Sequence, residues 1–230
     1  AMRWASSTGL LYGGKAMRLA FFVFLLTVSA WGQRRDTPRG EAGKFDFYLL
    51  SLSWSPQHCS TPAGERDRMQ CGGTRQYDFI VHGLWPQYER SWPQFCETNE
   101  TLSKPVIDRM LDIMPSAGLI RHEWRKHGVC AGGSADQYFD RARKAFRALK
   151  IPAAMQSPKK ARTVAPAVIK NEFLAANPGM PGDAVSVGCN GKFLNEVRVC
   201  LTKDLKARAC SADVVRRACR MSEIIVQPLR

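Results

Sequence analysis

Tyr77-Asp78-Phe79-Ile80-Val81-His82-Gly83-Leu84-Trp85-Pro86 is the stretch on which the architecture turns. Its first half is a short apolar run, which predicts a strand carrying His82 to its end, with Gly83 and Pro86 as breakers. A second stretch, His122-Glu123-Trp124-Arg125-Lys126-His127-Gly128-Val129-Cys130, reads differently. Taken as a helix over 119–129, it places Glu123, Lys126 and His127 at i, i+3 and i+4 on one face. His122 then lies well round the helix from His127. Three of the four histidines in the chain fall in these two blocks.

Working outward, residues 45–54 alternate and are rich in aromatics, so they read as a strand. Later strands are expected at 184–188, 193–201 and 223–227. Helices are expected at 105–114, 136–149 and 165–176. The second of these sets Phe139, Ala142, Phe146 and Leu149 on one stripe with Arg and Lys opposite, the pattern of a core-facing amphipathic helix. Strands and helices mix without regular alternation, which predicts an α+β fold with an antiparallel central sheet flanked by helices.

Lys15 and Arg18 precede the apolar run Leu19-Ala20-Phe21-Phe22-Val23-Phe24-Leu25-Leu26, which fades into small residues. Residues 1–30 are therefore expected to be a signal peptide cleaved after Ala30. The run falls short of the roughly 20 residues that span a bilayer. Residues 31–44 are expected to be a polar, disordered leader, and residues 45–230 a single domain. Such a protein would be secreted or periplasmic. All eight cysteines (Cys59, Cys71, Cys96, Cys130, Cys189, Cys200, Cys210, Cys219) lie after the cleavage site. An even count in an exported chain predicts four disulfides, and spacing alone leaves their pairing open. No C-x-x-C pair supports a zinc site. The formal charge is +14, and loss of Arg3, Lys15 and Arg18 with the signal lowers it by three, to +11. A domain this basic attracts polyanions: nucleic acid, acidic glycans or anionic membranes.

A carboxylate, an ammonium and an imidazole on one helix face suit a reaction that moves protons and builds negative charge. The spacing H-E-x-x-x-H excludes the zinc-protease motif, which needs H-E-x-x-H. His82 adds a second imidazole. Two histidines suit phosphodiester cleavage by a ribose 2′-hydroxyl, one taking its proton and the other protonating the leaving 5′-oxygen. Both act near their ordinary pKa, so no metal or organic cofactor is required. Trp85 offers a flat face for a base, and Trp92 or Phe95 could add to it.

The segments His82–Pro86 and His122–Cys130 (HGLWP and HEWRKHGVC) resemble the two active-site segments of the ribonuclease T2 family. Residues 45–59 resemble its first strand and residues 191–200 a late one, so the resemblance covers most of 45–220. It implies an α+β endoribonuclease cutting single-stranded RNA through a 2′,3′-cyclic phosphate with low base specificity. His82 matches the catalytic histidine cast as acid, and His127 the one cast as base. Glu123 and Lys126 match transition-state stabilisers, His122 a phosphate-binding histidine and Trp85 a base-stacking position. The resemblance also implies the pairs Cys59–Cys71, Cys96–Cys130, Cys189–Cys219 and Cys200–Cys210. Gln87 stands where some members carry an acid that helps to recognise a base. His58 stands where an aromatic residue is common, and reads as a loop residue without a catalytic part. A non-catalytic RNA or glycan binder would have no need of a paired acid and base. Membrane contact lacks an amphipathic cationic segment outside the signal. The partner expected is single-stranded RNA, met by a monomer.

Overall fold

Strand β1 (Phe47–Trp54) is apolar on both faces, and this sets it inside the molecule. In the computed structural model, which describes residues 37–229, Tyr48, Leu50, Leu52 and Trp54 enter the main core. Phe47 and Leu49 point the other way, into a small cluster with Cys200 and Val214. The period of two explains the division: one face of β1 enters the main core and the other forms the small cluster against which Trp85 packs.

Short helices α1 (Ser55–His58), α2 (Pro62–Arg66) and α3 (Arg68–Cys71) follow β1. Strand β2 (Phe79–Gln87) then pairs antiparallel with β1. Helices α4 (Lys104–Met110), α5 (Ala117–Lys126) and α6 (Ala135–Ala148) come next. The rest of the chain supplies β3 (Arg162–Val164), α7 (Pro166–Ala176), β4 (Val185–Asn190), β5 (Phe193–Leu201), α8 (Ala212–Arg216) and β6 (Ile224–Val226). The sheet runs β2-β1-β5-β6-β3, with β4 also on β5. Its pairings are antiparallel except for one parallel contact between β5 and β6, at Phe193 and Ile225. The fold is α+β. Helix α6 is closed at its start by a reciprocal capping box of Ser134 and Gln137, and it buries Tyr138, Phe139, Ala142 and Ala145.

Several elements differ from the sequence expectation. Strand β2 does not stop at His82 but continues through Gly83 and Pro86 to Gln87. It lies at the end of the strand order, and an edge strand tolerates a proline because one side needs no donor. Helix α5 ends at Lys126, where a 3₁₀ turn, Gly128–Cys130, takes over. Helix α4 stops at Met110. His58 closes the one-turn α1 instead of lying in a loop, with Nε2 3.3 Å from Asp67 Oδ2.

The expected signal, residues 1–30, lies outside the described residues, as do 31–36 of the expected leader. From residue 37 onward that leader is tied to the domain. Arg39 forms a β-bridge with Gln94 and donates from Nε to Trp92 O at 2.7 Å, and Gly43 N donates to Cys130 O at 3.0 Å. The disulfides join Cys59 to Cys71, Cys96 to Cys130, Cys189 to Cys219 and Cys200 to Cys210. Those are the pairs the resemblance implies. Among the described residues no helix is long and apolar enough to cross a membrane.

Candidate active site

The register of β1 against β2 decides what faces the pocket. Gly83 pairs with Ser51 and Val81 with Leu52, so His82 is an extra residue with no partner: a β-bulge. In a regular strand His82 and Trp85, three residues apart, would point to opposite faces. The bulge shifts the parity, and both line one pocket with Gln87. Gly83 is needed for space. A Cβ there would meet Glu123 Oε2 at 2.1 Å and Trp85 Nε1 at 2.3 Å.

Helix α5 supplies the opposite wall. Ser116 caps its start by accepting from Leu119 N at 3.2 Å. At its other end His127 N still donates to Glu123 O at 2.9 Å, which keeps the two side chains on one face. His122, Glu123, Lys126 and His127 all line the pocket. His122 and His127, five residues apart, thus both line it, His127 from the cap position of α5. The end of α5 is held by the Cys96–Cys130 disulfide and by Phe95 N donating to Lys126 O at 2.9 Å. Phe95 has φ 52°, in the left-handed region, and does not line the pocket.

Trp85 sits between the two catalytic candidates. Its ring meets His82 edge-on at 5.1 Å and 76°, and His127 at 5.3 Å and 31°. Its Nε1 donates to Glu123 Oε2 at 2.6 Å. Trp92 also lines the pocket and carries two guanidinium groups over its ring, those of Arg39 and Arg217, each 4.8 Å from the centroid.

The two imidazoles have opposite electrostatic surroundings. His127 is 5 % exposed. Burial disfavours its charged form, Lys126, His122 and His82 add repulsion, and its pKa falls to about 2. His82 feels burial in the same direction, but Glu196 and Glu123 outweigh it and hold the pKa above the ordinary value. Its Nε2 is 3.8 Å from Glu123 Oε1 and its Nδ1 is 3.9 Å from Glu196 Oε2. Glu123 is pushed up to about 7 by burial, against the pull of His82, Trp85 and Lys126. His82 thus favours its protonated form and His127 is held in its neutral form, far from the ordinary pKa the sequence suggests, with Lys126 and Arg217 beside them. Such a set suits transfer of a proton across a phosphodiester.

Two groups escape a reading of the sequence. Arg217 lies in the run Arg216-Arg217-Ala218-Cys219-Arg220, which looks like solvated charge. Glu196 lies in β5 among apolar residues, and its only signal is Arg198 two places on, on the same face.

The model of the ribonuclease T2 family matches residues 45–210. A ribonuclease of Aeromonas hydrophila is 32 % identical over 213 residues, which is 89 % of this chain and 96 % of that protein. Ribonuclease I of Escherichia coli K12 is 34 % identical over 137 residues, 42 % of this chain and 51 % of that one. Among solved structures, RNase NT in complex with 5′-AMP superposes with a TM-score of 0.63 at 25 % identity, covering 81 % of this chain and 99 % of its own.

Proposed function

Because this chain belongs to the ribonuclease T2 family and is a T2-type endoribonuclease, we propose that it cleaves single-stranded RNA by attack of the ribose 2′-hydroxyl, leaving a 2′,3′-cyclic phosphate. His127 takes the 2′-OH proton, and the oxygen bonds to the adjacent phosphorus. His82 gives its proton to the 5′-oxygen as the P–O5′ bond breaks. Lys126 and Glu123 steady the crowded anionic phosphorus, and His122 holds a phosphate oxygen. Trp85 offers its exposed surface to a base, with low preference among bases. The imidazoles do the proton transfers themselves, so the scheme calls for no cofactor. Residues 45–230 act as one catalytic domain and as a monomer, exported to the periplasm or medium after loss of residues 1–30, with no membrane contact.

The observation that carries this reading is the placing of His82 and His127 in one pocket on either side of Trp85, the first favouring its protonated form and the second held neutral. RNase NT was solved with 5′-AMP, a nucleoside monophosphate, which supports a nucleotide as the occupant. The test is incubation of the purified protein with single-stranded RNA in excess EDTA, followed by analysis of product ends. Fragments ending in 2′,3′-cyclic phosphate are expected, and His127→Ala should remove them. Intact RNA beside a folded, RNA-binding protein would overturn the proposal.

A further inference from the structure

Glu196 is a buried carboxylate to which the transesterification scheme gives no task. It is 6 % exposed, yet the side chains of Ser51, Arg198 and His82 converge on it. Ser51, on the same face of β1 as Phe47 and Leu49, donates to Oε2. Arg198, two residues on, donates to Oε1. His82 Nδ1 stands 3.9 Å from Oε2. Gly188, its partner on β4, leaves room for its stem, since a Cβ there would come within 2.9 Å of Glu196 Cγ. A carboxylate held from two sides and aimed at one edge of an imidazole is built for a purpose.

We infer that Glu196 is a positioning residue for His82, holding the ring from its Nδ1 side so that Nε2 presents the proton given to the leaving oxygen. The inference rests on the reading of His82 as the acid. In the step itself, the Nε2 proton moves to the 5′-oxygen while the electron pair of the P–O5′ bond leaves with that oxygen. The neutral ring then keeps its remaining proton on Nδ1, beside Glu196 Oε2. Without a partner there, the other tautomer would be equally open to it.

Glu123 cannot fill this place. It faces Nε2, the nitrogen that must reach substrate, and it is tied to Trp85 Nε1. Burial also pushes its carboxyl up to about 7, whereas Glu196 is held down to about 2, since His82, Arg198 and Ser51 outweigh the effect of its burial. The charged and titratable groups around His82 are Glu123 and His127 from the α5 side and Glu196 and Arg198 from β5. His122, Lys126 and Arg217 complete the ionisable groups of the pocket wall.

Two measurements on Glu196→Gln test the inference. One is an NMR titration of the His82 ring. The other is the pH dependence of kcat/KM on a dinucleotide and on a nucleoside 3′-(4-nitrophenyl phosphate), whose leaving group needs no acid. The midpoint of the His82 titration should fall by about one pH unit or more, and the alkaline limb of the dinucleotide profile with it. Above that limb the loss should be about tenfold, and at pH 5 within about threefold, since lowering the midpoint by one pH unit cuts the protonated fraction about tenfold on the alkaline side. The nitrophenyl ester should be cleaved nearly as fast as by the wild type. Glu196→Asp, which keeps the charge one methylene further away, should move the same quantities in the same direction by less. An unmoved His82 titration, or an equal loss at every pH on both substrates, would show a merely structural carboxylate and sink the inference. If the titration moves but His82→Ala still cleaves the dinucleotide at full rate, the positioning stands and the acid role of His82 is what fails.

Discussion

Glu123 is 1 % exposed and accepts a hydrogen bond from Trp85 Nε1, with His82 Nε2 3.8 Å from its Oε1. Burial raises its pKa from 4.5 to about 7. A carboxyl whose folded pKa exceeds its unfolded value leaves the folded state with more protons bound between the two, so stability falls as pH rises from 4.5 through 7. At pH 8 the charge therefore works against the fold. Glu123→Gln keeps an oxygen for Trp85 and removes that charge. It should raise stability at pH 8 by about 1–3 kcal/mol, change it little at pH 4, and lower kcat by about a hundredfold or more. Unfolding curves at the two pH values, set beside initial rates, check this. A variant destabilised at pH 8 would show that the carboxylate is better paired than its burial implies. Two neighbours act with the opposite sign. His127 and Glu196 are each held down to about 2, so the folded state binds fewer protons than the unfolded chain. Their contributions are lost as pH falls, from 6.5 for the histidine and from 4.5 for the carboxylate. The site is thus stressed at both ends of the pH scale, as paired acid and base groups in a buried pocket require.

Strand β2 shows why the elements were only partly legible. The alternation of β1 and the stripe of α6 are periodic patterns, and both elements form where the pattern lies. The second half of β2 is hidden because Gly83 and Pro86 are breakers in general and are harmless here for local reasons. Pro86 is on an edge strand, and Gly83 leaves empty the space that Glu123 and Trp85 occupy. The bulge at His82 is invisible for a related reason: it appears only in the register with Ser51 and Leu52, some thirty residues away. Strand β3, three residues long, is too short to show a period. The residues of the two histidine blocks were nonetheless readable as a set, because their chemistry is concentrated in sequence. Gly83→Ala tests the geometry of the element. Its methyl must displace the Glu123 carboxylate and the Trp85 indole together, so kcat/KM should fall by about a hundredfold. The overpacking should cost about 1–3 kcal/mol in stability. Activity within about twofold of wild type would mean that β2 can shift its bulge without disturbing the pocket.

At the scale of the whole molecule, the excess of basic residues predicts attraction to polyanions but not where they dock. The formal charge of +14 is a sum, and most of it is solvated surface. What the fold adds is a selection. Lys126 arrives on the last turn of α5. Arg217 is turned toward the pocket beyond α8, where its Nη2 pairs with Asp213 Oδ2 at 2.9 Å and its guanidinium covers Trp92. The Cys189–Cys219 disulfide fastens that turn to β4, which is why an arginine from a basic run near the end of the chain reaches a site built from its middle. A local contact and a diffuse field differ in their salt dependence. Each phosphate neutralised on a single strand contributes about 0.7 to the slope of log affinity against log salt, through release of a condensed counterion. Arg217→Gln should therefore flatten the salt dependence of kcat/KM on single-stranded RNA by about 0.7, with kcat at saturation nearly unchanged. Replacing a basic residue outside the pocket, Lys104 on α4, should leave the slope as it is. Rates measured from about 50 to about 200 mM salt separate the two. A slope that Arg217→Gln does not alter would assign the arginine to holding Trp92 alone, and the attraction of RNA to the basic surface at large.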